Sequence, residues 1–203
     1  MLRDPYRQLF LAANSISYGQ NLAGLAGLAS PAQKLIERLG LGFGQRVLMA
    51  GLAAPGILPN LRLKLGLAGQ LLILDDRPDA FGDVSRYDAD WVVLLKAKSS
   101  AIPVPDSSLD VVLCWSSFLS LGDMAPSAEE FFRVLGPGGK AIIAHGAPGA
   151  PAEEPRPCPF RLERLFLEAG FSRIDFEENR EAFLLEASKV PGFYLNLSPA
   201  GRA

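Results

Sequence analysis

The sequence predicts an α/β protein: a three-layer sandwich around a seven-stranded, mostly parallel sheet that ends in an antiparallel hairpin. Three observations carry that expectation. The candidate strands are apolar from end to end instead of alternating, the pattern of strands buried on both faces of a parallel sheet. Helical segments separate them, as connections between parallel neighbours require. The last two extended stretches are joined only by the polar turn Glu178-Asn179-Arg180, too short for a crossover helix, so they must run antiparallel.

The elements follow in order. Residues 8–33 carry no charge, and residues 22–29 read LAGLAGLA. Three-residue spacing sets the leucines near one helical face, while Gly24 and Gly27 each cost about 0.8–1 kcal/mol there. This stretch is expected to be a weakly stable cover. Ser30-Pro31 supplies an N-cap and a first-turn proline for a helix that runs to about Leu39 and stops at Gly40. Residues 46–50 form the first buried strand, and residues 57–65 a helix that stops at Gly66. Residues 71–74 form the second strand, closed by Asp75-Asp76. The third strand covers residues 91–95, and the fourth covers 109–115 after the turn Pro105-Asp106-Ser107-Ser108. A helix over residues 128–135 places Glu129-Glu130 in its first turn, where the helix dipole favours acids. Gly136-Pro137-Gly138-Gly139 should break the chain before a strand at residues 141–144, and residues 146–159 read as a loop. A helix from about Arg161 to Ala169 ends at Gly170, and the hairpin strands cover 172–177 and 182–187.

Composition narrows the function classes. The chain has 203 residues, 49% of them hydrophobic, and a net charge of −2, which excludes disorder. No basic excess exists to release counterions from phosphates, so no nucleic-acid partner is expected. The two cysteines, Cys114 and Cys158, lack CxxC spacing and read as reduced thiols in a cytoplasmic protein. With His145 as the single histidine, no metal site is expected. The opening Met1-Leu2-Arg3-Asp4-Pro5 lacks a basic region followed by an apolar core, so no signal peptide is read. The uncharged stretch at residues 47–61 holds Pro55 and Pro59 and is too short and broken to span a bilayer. Neither GxSxG nor GxxxxGK[ST] nor GxGxxG occurs.

Three stretches give the chain a family likeness. Residues 102–112, IPVPDSSLDVV, are close to "LPFPDNSFDVV"; residues 132–140, FRVLGPGGK, are close to "RVLKPGG"; and Glu168-Ala169-Gly170-Phe171 matches "EAGF". In this order and spacing the sequence resembles the class I S-adenosylmethionine-dependent methyltransferases, in particular the small-molecule, quinone-biosynthesis-like type. The resemblance covers about residues 31–189. It implies a Rossmann-like sheet of order 3-2-1-4-5-7-6, with a cover segment at residues 1–30, the methyltransferase-like domain at 31–190 and a tail at 191–203.

The cofactor motifs are degenerate. Where the family runs into D-x-G-x-G-x-G, residues 49–56 read MAGLAAPG. Gly51 stands in place, but Met49 replaces the acid, Ala53 the second glycine and Pro55 the third; Gly56 follows. Glycine serves such loops because the backbone must take unusual dihedrals close to the ligand, and proline removes a donor. Asp75-Asp76-Arg77-Pro78 resembles "DISP", whose first acid bonds the cofactor's ribose; the alternative is an acidic N-cap for the following helix, a role that suits Asp76 or Asp79 equally well. Lys98 takes the place of the adenine-side acid, and a lysine can only donate. Ser99 or Ser100 is then the candidate acceptor.

His145, following the fifth strand, is the candidate general base, or else a loop histidine bonded to backbone. Trp115, following the fourth, either faces the ligand or packs in the core. The resemblance implies methyl transfer from S-adenosylmethionine, at a weakened site, to a small-molecule substrate. The alternative is a methyltransferase-like binding or partner protein without turnover, with a protein partner or a second copy as its counterpart.

Overall fold

The computed structural model describes residues 39–51, 57–77, 90–115, 123–145, 158–178 and 183–191. The cover segment, the helix expected from Pro31 and the C-terminal tail beyond residue 191 lie outside them.

Seven strands form one sheet: β1 (Arg46–Ala50), β2 (Gln70–Leu74), β3 (Val92–Leu95), β4 (Leu109–Trp115), β5 (Leu135–His145), β6 (Arg173–Glu178) and β7 (Phe183–Ser188). Their order is β3-β2-β1-β4-β5-β7-β6. The first five strands pair in parallel. β7 is antiparallel to both its neighbours, from Lys140↔Ser188 on one side and Arg173↔Ser188 on the other. The expected sheet and hairpin are therefore both present.

Side chains alternate between two cores, one on each face of the sheet. Val47, Met49, Leu71, Ile73, Val111 and Leu113 point to one face. There they meet Leu58, Leu61 and Leu65 of α1 (Leu58–Leu65). Leu48, Ala50, Leu72, Val112 and Ile143 point to the other face. They pack with Met124, Ala128 and Phe131 of α2 (Met124–Val134) and with Leu162 and Phe166 of α3 (Pro159–Glu168). A strand with no polar face is what such a double burial demands.

Two local expectations are corrected. The helix α2 begins at Met124, four residues earlier than residue 128. Pro126 looks like a breaker, but it falls in the first turn, where no intrahelical N–H is required. Glu129 and Glu130 consequently lie in mid-helix rather than at the dipole's positive end. Second, Gly136-Pro137-Gly138-Gly139 does not interrupt the strand. Leu109 pairs with Leu135 and Val111 with Lys140, so the glycine-rich stretch bulges out opposite Asp110 within β5. A Cβ at Gly139 would sit 2.9 Å from the Gly136 carbonyl and 3.0 Å from that of Asp110. Gly138, at φ +82°, donates its N–H to Lys189, 2.7 Å away.

Candidate functional site

Parallel strands bring their carboxyl ends to one edge, and the order reverses between β1 and β4, the crevice where open α/β sheets hold ligands. Gly51, Asp75, Trp115 and His145 follow or end β1, β2, β4 and β5 there. Trp115 pairs with Ala144 and His145 with Phe183 in the ladder. Ala53 and Gly56 lie outside the described residues.

Gly51 is buried at φ +79°, the left-handed region that glycine enters without penalty. Its N–H donates to the Leu74 carbonyl at 2.8 Å, tying the start of this loop to the end of β2. Met49, two residues earlier, is fully buried among Val47, Leu71, Ile73 and Leu113. The acid's position in the motif has become part of the apolar core.

Among the described residues, Asp75 is the one buried carboxylate at this edge. Its backbone N–H bonds the Leu95 carbonyl at 3.1 Å, which fixes it between β2 and β3. Both carboxylate oxygens are held by Arg77. The backbone N–H and Nε donate to Oδ1 at 3.0 and 2.9 Å, and Nη2 donates to Oδ2 at 2.7 Å. The hydrogen bond to Asp75, and then the nearby charges of Asp75 and Asp76, raise the Arg77 guanidinium above its ordinary value against the effect of burial. Asp76 itself is exposed.

Beyond β3, Lys98 is exposed and Ser100 half-buried. Ser99 is buried, and its hydroxyl lies 2.7 Å from that of Ser127 on α2. This hydroxyl therefore bonds a helix. Cys114 is buried in β4, and burial pushes its thiol up, so it is inert as a nucleophile.

A second set of motif residues converges on Arg133. Its guanidinium pairs with both oxygens of Glu130 at 2.6 and 2.8 Å and with Asp106 at 2.6 Å. It also donates to the carbonyls of Val104 and Ile102 at 2.9 and 2.8 Å. Glu130 accepts the Ile102 N–H at 2.7 Å. Arg133, first among the causes, holds the Glu130 carboxyl below the usual range. The N–H groups of Ser107 and Ser108 then satisfy the carbonyls of Arg133 and Val134 at the end of α2. Lys189 completes this cap by donating to Phe132 and Leu135. Sequence reasoning named the two motifs but not Arg133 as their link; the arginine of FRVLGPGGK, three residues after Glu130, is the signal that could have shown it.

Residues 60–143, from α1 into β5, match a family model described as a methyltransferase domain. This stretch is therefore similar to a methyltransferase domain. The match begins after Gly51 and takes in Asp75, Lys98 and the stretches IPVPDSSLDVV and FRVLGPGGK. A solved S-adenosylmethionine-dependent methyltransferase from Aquifex aeolicus is 22% identical, with a TM-score of 0.65 over 93% of this chain and 100% of that one. A chain from a Haloferax volcanii complex between the Trm112 methyltransferase activator and a methyltransferase gives a TM-score of 0.66 at 18% identity, over 78% and 88%. The [4+2]-cyclase SpnF gives 0.62 at 18% identity, over 92% and 91%. These likenesses establish the fold, and the cyclase among them shows that this fold hosts more than one reaction. No curated protein matches the sequence. Among the described residues no helix is long and apolar enough to cross a membrane.

The residues present fit S-adenosylmethionine in part. Left-handed Gly51 and the buried carboxylate of Asp75 suit its amino-acid and ribose ends; Met49 and Lys98 supply no acceptor.

Proposed function

We propose that the chain binds S-adenosylmethionine weakly across the carboxyl ends of β1 and β2 and methylates a small molecule in the cytoplasm. One observation carries this reading: Asp75 is a fully buried carboxylate at the end of β2, beside a Gly51 held in the left-handed conformation that a close backbone approach needs. The bound sulfonium would supply an activated methyl group. The protein's part is then mainly alignment of acceptor and methyl, with His145 at the end of β5 as the base that removes the acceptor's proton.

Weak binding follows from magnitudes. A hydrogen bond to a charged group contributes about 1.5–3 kcal/mol. Without acids at residues 49 and 98, the loss is about 3–6 kcal/mol, or two to four decades of affinity. A site that is ordinarily micromolar becomes one that is nearly millimolar.

The second reading is a methyltransferase-like partner protein without turnover. The burial of Met49 and the engagement of Asp75 by Arg77 favour it, and the Haloferax complex offers a precedent for methyltransferase chains and protein partners. Calorimetry with S-adenosylmethionine and S-adenosylhomocysteine separates the two. Binding tighter than about 100 μM, roughly −5.5 kcal/mol, with about 1.5–3 kcal/mol lost in Asp75→Ala, supports the enzyme. Absence of heat at millimolar ligand supports the partner protein.

A further inference from the structure

The pair Asp75–Arg77 is asymmetric. The Asp75 side chain is 0% exposed and that of Arg77 64% exposed, so the carboxylate lies inside and the guanidinium reaches into solvent. Three donors of one residue hold two oxygens, in the two-pronged geometry that suits guanidinium and carboxylate best. A ribose presents a vicinal diol, two hydroxyl donors side by side, and a carboxylate accepts both through the same two oxygens. Guanidinium and diol therefore compete for one acceptor. The Arg77 side chain can leave without disturbing the core, because it is exposed, and Asp76 beside it is an exposed acid that can receive the displaced charge.

We propose that Arg77 is a specificity-determining gate on this site: it occupies the Asp75 carboxylate in the free protein, and a ligand's diol enters only by displacing it. The proposal rests on the reading that Asp75 receives the cofactor's ribose. The gate makes affinity depend on two donors acting together. A ligand with a 2′-deoxyribose, having one hydroxyl, replaces two strong bonds with one and is rejected more sharply than by an ungated acid.

The test is titration calorimetry with S-adenosylhomocysteine on the full chain, its Arg77→Ala variant and its Arg77→Lys variant. Lysine keeps the charge and one donor but not the fork, so it folds even if removing the charge leaves Asp75 too costly to bury. Affinity is expected to rise about tenfold in Arg77→Ala, equivalent to about 1.4 kcal/mol, and about threefold in Arg77→Lys. Raising salt from about 0.05 to about 0.5 M shortens the screening length several-fold. It should tighten binding to the unaltered protein and leave Arg77→Ala unchanged. Equal affinities in all three proteins, or weaker binding in either variant, overturn the gate and leave the cofactor reading standing. No binding by any of the three removes the cofactor reading, and the gate falls with it.

Discussion

Around Arg133, Asp106 and Glu130 and the carbonyls of Ile102 and Val104 close on a single guanidinium; at the carboxyl ends of β1 and β2, the motif positions have turned into core or paired with each other. The two regions lie toward opposite ends of the sheet, one ahead of the first residues of β4 and β5 and the other beyond the last residues of β1 and β2, and their family-like residues have different tasks. The well-matched stretches IPVPDSSLDVV and FRVLGPGGK join a loop to the C-terminal end of α2 and so serve the fold. The poorly matched stretch MAGLAAPG is the one a cofactor would touch. Likeness in the first region is evidence of architecture, and it says little about the second. The family match over residues 60–143 has the same bias, since it starts beyond the loop.

The comparison can be broken first at Met49. If this position has joined the core, Met49→Asp restores the motif's acid at the expense of a buried, unpartnered charge. Burial raises a carboxyl by several pKa units at 1.36 kcal/mol each. The variant should lose at least about 4 kcal/mol near pH 7. Its folded-state carboxyl titrates above the unfolded one, so the charge part of the penalty is absent below about pH 4 and grows as pH rises through the ordinary aspartate range, on top of a pH-independent loss of apolar packing. Urea unfolding at pH 4 and pH 7 measures both. A variant as stable as the parent at neutral pH would show that residue 49 opens onto the site.

The Arg133 cluster gives the next largest effect. Arg133→Ala leaves Glu130 without its main partner and removes the arginine donor from the Val104 carbonyl, while the Ile102 carbonyl keeps the Val104 N–H. Arg133 is 31% and Glu130 19% exposed, so the loss should be about 2–4 kcal/mol, below that for a fully buried pair. Because Arg133 depresses the Glu130 pKa, the pair's contribution is present above about pH 4.3 and disappears as pH falls through the folded-state value. Acid unfolding of Arg133→Ala should therefore be shallower than that of the parent. Arg133→Lys, retaining charge without the fork, should lie between them. Full stability with an unchanged acid limb would mean that the cluster is incidental to the fold.

The different legibility of the two regions has a physical cause. Strands buried on both faces must be apolar throughout, so β1, β2 and β4 were readable from composition alone, nearly to the residue. The hairpin followed from a turn too short for anything else. The start of α2 was not legible at Pro126, because a proline reads the same whether it ends a helix or opens one. The bulge at residues 136–139 was hidden for a similar reason: glycines that permit a close approach to Asp110 look like glycines that break a strand. At the site, sequence placed Asp75 at the right edge through the resemblance, yet could not show that Arg77 covers it. Nor could it show which way Ser99 points, since a serine suits a ligand and a helix equally.

Ser99 offers the smallest effect and the sharpest boundary between the regions. If its hydroxyl belongs to α2, Ser99→Ala strands the Ser127 hydroxyl, which is 0% exposed, at a cost of about 1–3 kcal/mol. We expect the low end, about 1 kcal/mol, because a serine hydroxyl can rotate toward another acceptor. Removing both partners with Ser99→Ala/Ser127→Ala should recover most of that, since an apolar pair leaves nothing unsatisfied. The coupling in this double-mutant cycle measures the bond. Affinity for S-adenosylhomocysteine should stay within about twofold, roughly 0.4 kcal/mol, in Ser99→Ala, Ser127→Ala and the double variant. A variant that keeps its stability but binds tenfold more weakly would put Ser99 on the ligand, and the cofactor region would then extend past β3 into what is here assigned to the fold.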